Sequence, residues 1–175
     1  MLRVIAGVHG GRRLTTPAGP GTRPTSDRVR EALFSILGEA VVRDARVLDL
    51  FAGSGALGIE ALSRGAAAAT FVDSDPRAVK AIRTNLESLG LEAEVLREDW
   101  RAALDTARQY ALLFLDPPYR LTERLAPDLS KAVESLLAPG GTLVSESDRR
   151  APLVLELPLR DERRYGDTLI RIHGA

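Results

Sequence analysis

Arg46-Val47-Leu48-Asp49-Leu50-Phe51-Ala52-Gly53-Ser54-Gly55-Ala56-Leu57-Gly58 decides the fold. Arg46 to Phe51 reads as a buried strand, the glycines as a tight turn, and Ala56 to Ser63 as a helix. Such a turn stands at the carboxyl end of its strand, where open α/β sheets take their ligands. Outward from it the period alternates. Ala69 to Asp73 reads as strand, and Asp75-Pro76 opens a helix with a cap and a proline in its first turn. Val79, Ile82, Leu86 and Leu89 line one face of that helix, and Gly90 ends it. Glu94 to Arg97 reads as strand, the stretch around Trp100 to Ala107 as helical, and Ala111 to Leu115 as a strongly apolar strand. Leu125 to Leu137 is expected to be helical, stopped by Pro139-Gly140-Gly141. Thr142 to Ser145, Leu153 to Leu157 and Thr168 to Ile172 are expected as the closing strands. The alternation predicts an α/β fold with a doubly wound, mostly parallel, seven-stranded sheet. The last two strands lack an intervening helix and should form an antiparallel edge.

The turn admits more than one ligand. Gly53, Gly55 and Gly58 match G-x-G-x-x-G, and Asp73 follows Gly53 by 20 residues, which is the spacing of a dinucleotide fingerprint. Asp49 argues otherwise, because a carboxylate just before the turn repels a pyrophosphate and suits a cationic group such as a methionine ammonium. No Gly-Lys-Ser/Thr follows for a P-loop. Ser54 is flanked by Ala52 and Ala56 rather than the glycines of a hydrolase elbow. A tight turn with no ligand at all is the plain alternative.

Asp116-Pro117-Pro118-Tyr119 follows the apolar strand directly. Two prolines have no N–H, so they end the ladder and extend the backbone. The Asp116 carboxylate and Pro117 carbonyl become acceptors suited to the exocyclic amine of a nucleobase, and Tyr119 offers a ring to stack on. A proline-rich strand exit with a surface tyrosine is the plain alternative.

The 175 residues are 45% hydrophobic and suffice for one core, while 24 basic and 24 acidic residues cancel. The balance excludes a globally basic coat protein and an acidic disordered tail. No cysteine and two histidines, His9 and His173, exclude thiol catalysis and multi-histidine or cysteine-ligated metal sites. No apolar stretch approaches a membrane span. Twenty-two arginines against two lysines, with one asparagine, fit a thermophile or GC-rich codon usage. The charge is uneven. Residues 1–30 carry Arg3, Arg12, Arg13, Arg23, Arg28 and Arg30 against Asp27, a net of +5 that the remaining 145 residues offset. Within this arm, Leu2 to Ala6 and Arg12 to Thr16 read as a hairpin around Gly10-Gly11. A proline- and glycine-rich loop follows, then a helix capped by Thr25 or Ser26 that buries Val29, Leu33, Phe34 and Leu37.

Taken together, Asp49 to Gly58, Asp73 and Asp116 to Tyr119 resemble the class I S-adenosylmethionine-dependent methyltransferases that modify exocyclic amines. More narrowly, Arg3-Val4-Ile5-Ala6-Gly7, Gly11-Arg12, Thr22 to Phe34 and Phe51 to Gly65 are similar to the bacterial RsmD family, across essentially the whole chain. The resemblance implies methyl transfer to the N2 amine of a guanine in a hairpin loop of 16S ribosomal RNA, guanine 966. It implies S-adenosyl-L-methionine as cofactor. Asp49 and the turn Phe51, Ala52, Gly53, Ser54, Gly55 would hold its methionine part, Asp73 with Ser74 its ribose, and Asp99 with Trp100 its adenine. Asp116, Pro117 and Tyr119 would hold the target base, and the six arginines would face RNA. On this reading residues 1–43 form an RNA-facing extension and 44–175 the methyltransferase domain. The protein is expected to be a cytoplasmic monomer without metal, acting on 16S rRNA either naked or within a small-subunit assembly particle. The alternatives are an adenine N6 or other amine on DNA, RNA or protein glutamine as acceptor, an NAD-binding oxidoreductase, and a non-catalytic RNA-binding module.

Overall fold

A computed structural model of the chain describes residues 1–18, 25–102, 108–118 and 122–174. Seven strands form one sheet in the order β3-β2-β1-β4-β5-β7-β6. Five run parallel: β1 (Arg46–Leu50), β2 (Ala68–Val72), β3 (Glu94–Leu96), β4 (Tyr110–Leu115) and β5 (Leu137–Asp148). β7 (Thr168–Gly174) enters antiparallel between β5 and the edge strand β6 (Leu159–Tyr165). The doubly wound sheet with an antiparallel edge is therefore as expected. Chain order reverses at β1, which lies between β2 and β4, so a crevice opens at their carboxyl ends.

The helices follow from local signals. α1 (Asp27–Leu37) starts where the Ser26 hydroxyl accepts the Val29 N–H. α2 (Glu39–Val42) is a single extra turn after Gly38, which was not anticipated. α3 (Ala56–Ser63) leaves the glycine turn. α4 (Pro76–Leu89) is capped by Asp75 and closed by Gly90 in the left-handed region at φ 65°. α5 (Thr122–Leu136) packs Leu125, Leu129, Val133 and Leu136 beneath the other face of the sheet. None of the described helices is long and apolar enough to cross a membrane.

Two expectations are corrected. Leu153 to Leu157 is not a strand. Leu153 and Leu155 turn inward onto α5, and the Glu156 N–H donates to Ser130 Oγ rather than to a neighbouring strand. The strand is Leu159–Tyr165, whose Leu-Arg-Asp-Glu-Arg-Arg-Tyr carries no apolar alternation because an exposed edge needs none. Pro139 to Gly141 is not a free stop either. β5 begins at Leu137, and the ladder absorbs these residues as an irregularity between Tyr110↔Leu137 and Leu112↔Thr142. The helical stretch expected around Trp100 to Ala107 falls partly on residues 103–107, outside the described ones.

The arm hairpin is held by a single antiparallel bridge, Arg3↔Arg13, and by Val4–Arg12, Gly11–Val4 and Leu14–Leu2 backbone bonds of 2.8–3.0 Å. Its apolar residues Leu2, Val4 and Leu14 are buried in the same cluster as Phe34, Ile59 and Phe114. Polar contacts seat it on α3. The fully buried Glu60 accepts the N–H of Ile5 (2.7 Å) and of Ala6 (3.0 Å), and the Val8 N–H reaches the Ser63 carbonyl at 2.8 Å. The approach at Gly7 is so close that a Cβ there would lie 1.8 Å from the Ser63 oxygen.

Gly7 and Gly11 share a left-handed backbone, φ +80° and +82°, but a Cβ at Gly11 meets nothing within 4 Å. Gly11→Ala should cost about 1–2 kcal/mol for the conformation alone. Gly7→Ala adds a clash with backbone and should cost on the order of 3 kcal/mol or more. Urea unfolding of both variants checks this ordering, and equal losses would mean that the arm does not press on α3.

Candidate functional site

The glycine turn is shaped before any ligand arrives. Phe51 takes φ +67°, rare for a residue with a side chain, and Gly53 and Gly55 follow at +55° and +76°. Glycine adopts this region freely, but for Phe51 the conformation costs about 1–3 kcal/mol and persists where surroundings enforce it. Here three groups do so. Asp73 Oδ2 accepts the Gly53 N–H at 2.8 Å, while its Oδ1 accepts that of Asp75 at 2.8 Å. Asp49 Oδ2 accepts the Gly58 N–H at 2.9 Å. Asn85 donates to the Ser54 carbonyl at 3.0 Å. Gly58 is glycine for packing, since a Cβ would sit 2.4 Å from the Phe71 ring as α3 crosses the sheet.

Asp49 is 2% exposed, and burial together with the nearby Asp73 pushes its carboxyl up to about 7 despite the Gly58 bond. Burial also raises Asp73, against its two backbone donors. Ser74 beside it is exposed. Beyond β3, Asp99 is exposed and its Oδ1 accepts the Arg101 N–H at 3.0 Å, the local capping role an aspartate there invites. Trp100 is buried, its ring 6.4 Å from that of Phe51, with the Arg101 guanidinium 4.5 Å over it. The two aromatics therefore wall one side of the turn.

Asp116 and Pro117 leave β4 on the opposite side. The parallel registers Leu50↔Leu115 and Leu115↔Ser145 put Asp116 between Phe51, just past the end of β1, and Glu146 within β5. Its carboxyl lies well above the ordinary range, first through burial, then through the facing charges of Glu146 and Asp49. Tyr119 lies outside the described residues.

Glu146 was not singled out from sequence. It is 4% exposed, stands on the same sheet face as Val144 and Asp116, and accepts the Thr25 hydroxyl proton. Strand alternation carried on from Val144 would have put an acid on the buried face, but the expected strand stopped at Ser145.

The arginines separate into three kinds. Arg13 and Arg28 are exposed. Arg3 pairs with Asp27 at 3.1 Å, and Arg12 donates to the Ser88 carbonyl at 2.9 Å, both at the surface. Arg30 corrects the expectation of a surface residue. It is 0% exposed, donates to the Arg3 carbonyl (2.6 Å) and Asp27 (2.7 Å), and lies 4.0 Å from Glu60. It braces the arm from within and cannot reach a phosphate in this fold. Arg23 lies outside the described residues.

The strand order, with a glycine turn and an acidic-proline exit on one crevice, defines a class I methyltransferase fold. A family model described as conserved hypothetical protein 95 matches residues 2–174, and the chain belongs to this family, the RsmD family. It is 41% identical over 182 residues to the putative rRNA methyltransferase YlbH of Bacillus subtilis, covering 98% of each chain. It is 45% identical over 121 residues to the ribosomal RNA small subunit methyltransferase D of Escherichia coli, over 68% of this chain and 61% of that one. The solved structure of the putative methyltransferase yhhF from Escherichia coli superposes with a TM-score of 0.85 at 36% identity, over 99% of this chain and 97% of that one.

The buried Asp49 makes stability depend on pH. Its folded pKa, about 7, exceeds its ordinary value of 3.8, so its contribution is fully present below 3.8 and lost as pH rises through 7. Asp49→Asn keeps an acceptor for Gly58 and removes the titration. Relative to the parent, the variant should therefore gain stability between pH 4 and pH 8, by up to ~4 kcal/mol. Denaturant unfolding at both pH values measures this, and a difference that does not change with pH defeats it.

Proposed function

We propose that the protein transfers a methyl group from S-adenosyl-L-methionine to the N2 amine of a guanine in 16S ribosomal RNA. The observation that carries this reading is the shared crevice. A rigid turn between two carboxylates lies on one side of Asp49, and the Asp116–Pro117 acceptors lie on the other. The family relatives named for ribosomal RNA methylation support the substrate class.

The residues present fit the cofactor. Asp49 and the backbone of Phe51, Ala52, Gly53, Ser54 and Gly55 suit an ammonium and carboxylate. Asp73, each of whose oxygens accepts one N–H, retains lone pairs for ribose hydroxyls, with Ser74 exposed beside it. Trp100, Phe51 and Asp99 suit an adenine ring and its amine. When bound, the cofactor supplies an electrophilic methyl on a sulfonium, which needs no metal. This chain's residues do the positioning, which can account for about 7–11 kcal/mol of a barrier. Asp116 and the Pro117 carbonyl accept the two amine hydrogens and turn the nitrogen lone pair outward. The amine proton, strongly acidic once the nitrogen is methylated, leaves toward Asp116 and water. Tyr119 would stack on the unpaired base. A loop nucleotide suits this pocket because it must leave its stack to enter.

Residues 1–43 would present the RNA-facing surface and 44–175 the catalytic domain, with Arg13 and Arg28, supported by Arg3 and Arg12, against phosphates. The protein would act as a cytoplasmic monomer on 16S rRNA in an assembling small-subunit particle, at guanine 966.

A methyl-transfer assay on small-subunit particles, with the product nucleoside identified by mass, should yield N2-methylguanosine. N6-methyladenine, or tight NADH binding with none of S-adenosylhomocysteine, overturns the reading. Asp116→Ala should keep cofactor affinity and lose at least tenfold to a hundredfold in turnover, one charge-assisted bond of about 1.5–3 kcal/mol. Asp116→Asn should lose less, because its amide oxygen still accepts.

Reversing Arg13 and Arg28 to glutamate should weaken RNA binding and lower the slope of log affinity against log salt by about 2. Cofactor affinity should stay unchanged. Filter binding across a salt series decides, and an unchanged slope would leave the two arginines as solvated surface.

A further inference from the structure

Glu146 is a second acid in the base pocket, and the reaction as described does not use it. It is 4% exposed, one position past the Leu115↔Ser145 pair, so it sits beside Asp116 across two parallel strands about 4.8 Å apart. Side chains alternate along a strand, and Val144 and Phe114 both pack on the face that carries Asp49 and the arm. Asp116 and Glu146 therefore project to that same face at the mouth of the crevice. The Thr25 hydroxyl, 121 positions away at the entry to α1, donates to Glu146 Oε2 and fixes the carboxylate's orientation.

Two adjacent carboxylates form an array of acceptors, and their complement is a pair of adjacent donors. Among the common bases that carry an exocyclic amine, guanine alone has a ring N–H next to it. Adenine and cytosine place a lone pair there, which a carboxylate repels. We propose that Glu146 selects guanine by accepting its ring N1–H while Asp116 accepts from the N2 amine. This rests on the guanine-N2 reading above and names the residue that enforces it. A pocket built to pair a substrate N–H rejects an analogue lacking it far more strongly than one that merely measures size. Thr25 braces one oxygen of Glu146 and takes no part in reading the base.

The test compares guanine with 2-aminopurine, which keeps the amine but has a lone pair at ring N1. Small-subunit particles reconstituted from 16S rRNA carry one or the other, by splint ligation, at the nucleotide the unmutated enzyme methylates. The unmutated protein should prefer guanine by about a hundredfold or more in kcat/KM. Glu146→Gln, whose amide can either accept from N1–H or donate to the lone pair, should narrow the preference to below about tenfold. Glu146→Asp should keep the preference at a reduced rate, and Thr25→Val should keep it as well. S-adenosylhomocysteine titration reports whether each variant is folded. A Glu146→Gln enzyme that retains the preference, or loses activity equally on both bases, overturns the role of Glu146. So does a Thr25→Val enzyme that loses the preference as fully as Glu146→Gln, since Glu146 would then be a brace. Failure of the unmutated protein to methylate guanine at all is a different outcome, and defeats the functional reading beneath it.

Discussion

The carboxylate of Glu60, fully buried on α3, is the contact on which the rest of the molecule leans. It accepts two consecutive backbone N–H groups from the arm, at Ile5 and Ala6, and the Nε–H of Arg64 at 2.7 Å. The fully buried Arg30 guanidinium lies 4.0 Å away and is held by the Arg3 carbonyl and Asp27. Taking one partner out of a buried arrangement of this kind strands a charge and costs about 3–5 kcal/mol. Because α3 is the helix that leaves the glycine turn, this cluster joins the basic arm to the cofactor side of the crevice.

Asn85 makes a second junction from the opposite direction. Wholly buried on α4, it accepts the Thr15 N–H at 2.7 Å and donates to the Thr15 carbonyl at 2.9 Å and the Ser54 carbonyl at 3.0 Å. One amide thus serves the last part of the arm and the middle of the turn. Its carbonyl and its two N–H groups are all used, which a buried asparagine must achieve to be tolerated. Arm and turn are therefore parts of a single packed body, although composition separates them sharply.

The crevice itself gathers acids. Asp49, Asp116 and Glu146 come from the ends of three neighbouring strands onto one face, and burial drives Asp49 and Asp116 toward their neutral forms. A core filled for stability alone would place apolar residues there. Acceptors held this close together suit ligands that bring donors and positive charge. A sulfonium cofactor with an ammonium group, beside a base with amine hydrogens, has that character.

Much of this was legible in the sequence. β1, the glycine turn, α3, β2, and the cap and stop of α4 lie within a residue of where strand and helix periods put them, because each is specified by neighbours in the chain. A buried parallel strand must be apolar throughout, and a left-handed turn selects glycine, so these signals are local and strong. The motif at Asp116-Pro117 was visible for the same reason. Tertiary structure alone decided the rest. Arg30 has the letters of an RNA-binding residue and became a buried brace, because the Arg3 carbonyl and Glu60 converge on it from two other segments, beside Asp27 of its own helix. Glu146 has the letters of a surface acid and became part of the pocket, because β5 lies beside β4 and Thr25 arrives from the far end of the chain. Leu153 and Leu155 look like a strand but pack as a strap on α5, while the polar edge strand beside them shows no period at all. In each case the deciding energy is burial or pairing between groups distant in sequence, which local composition does not record.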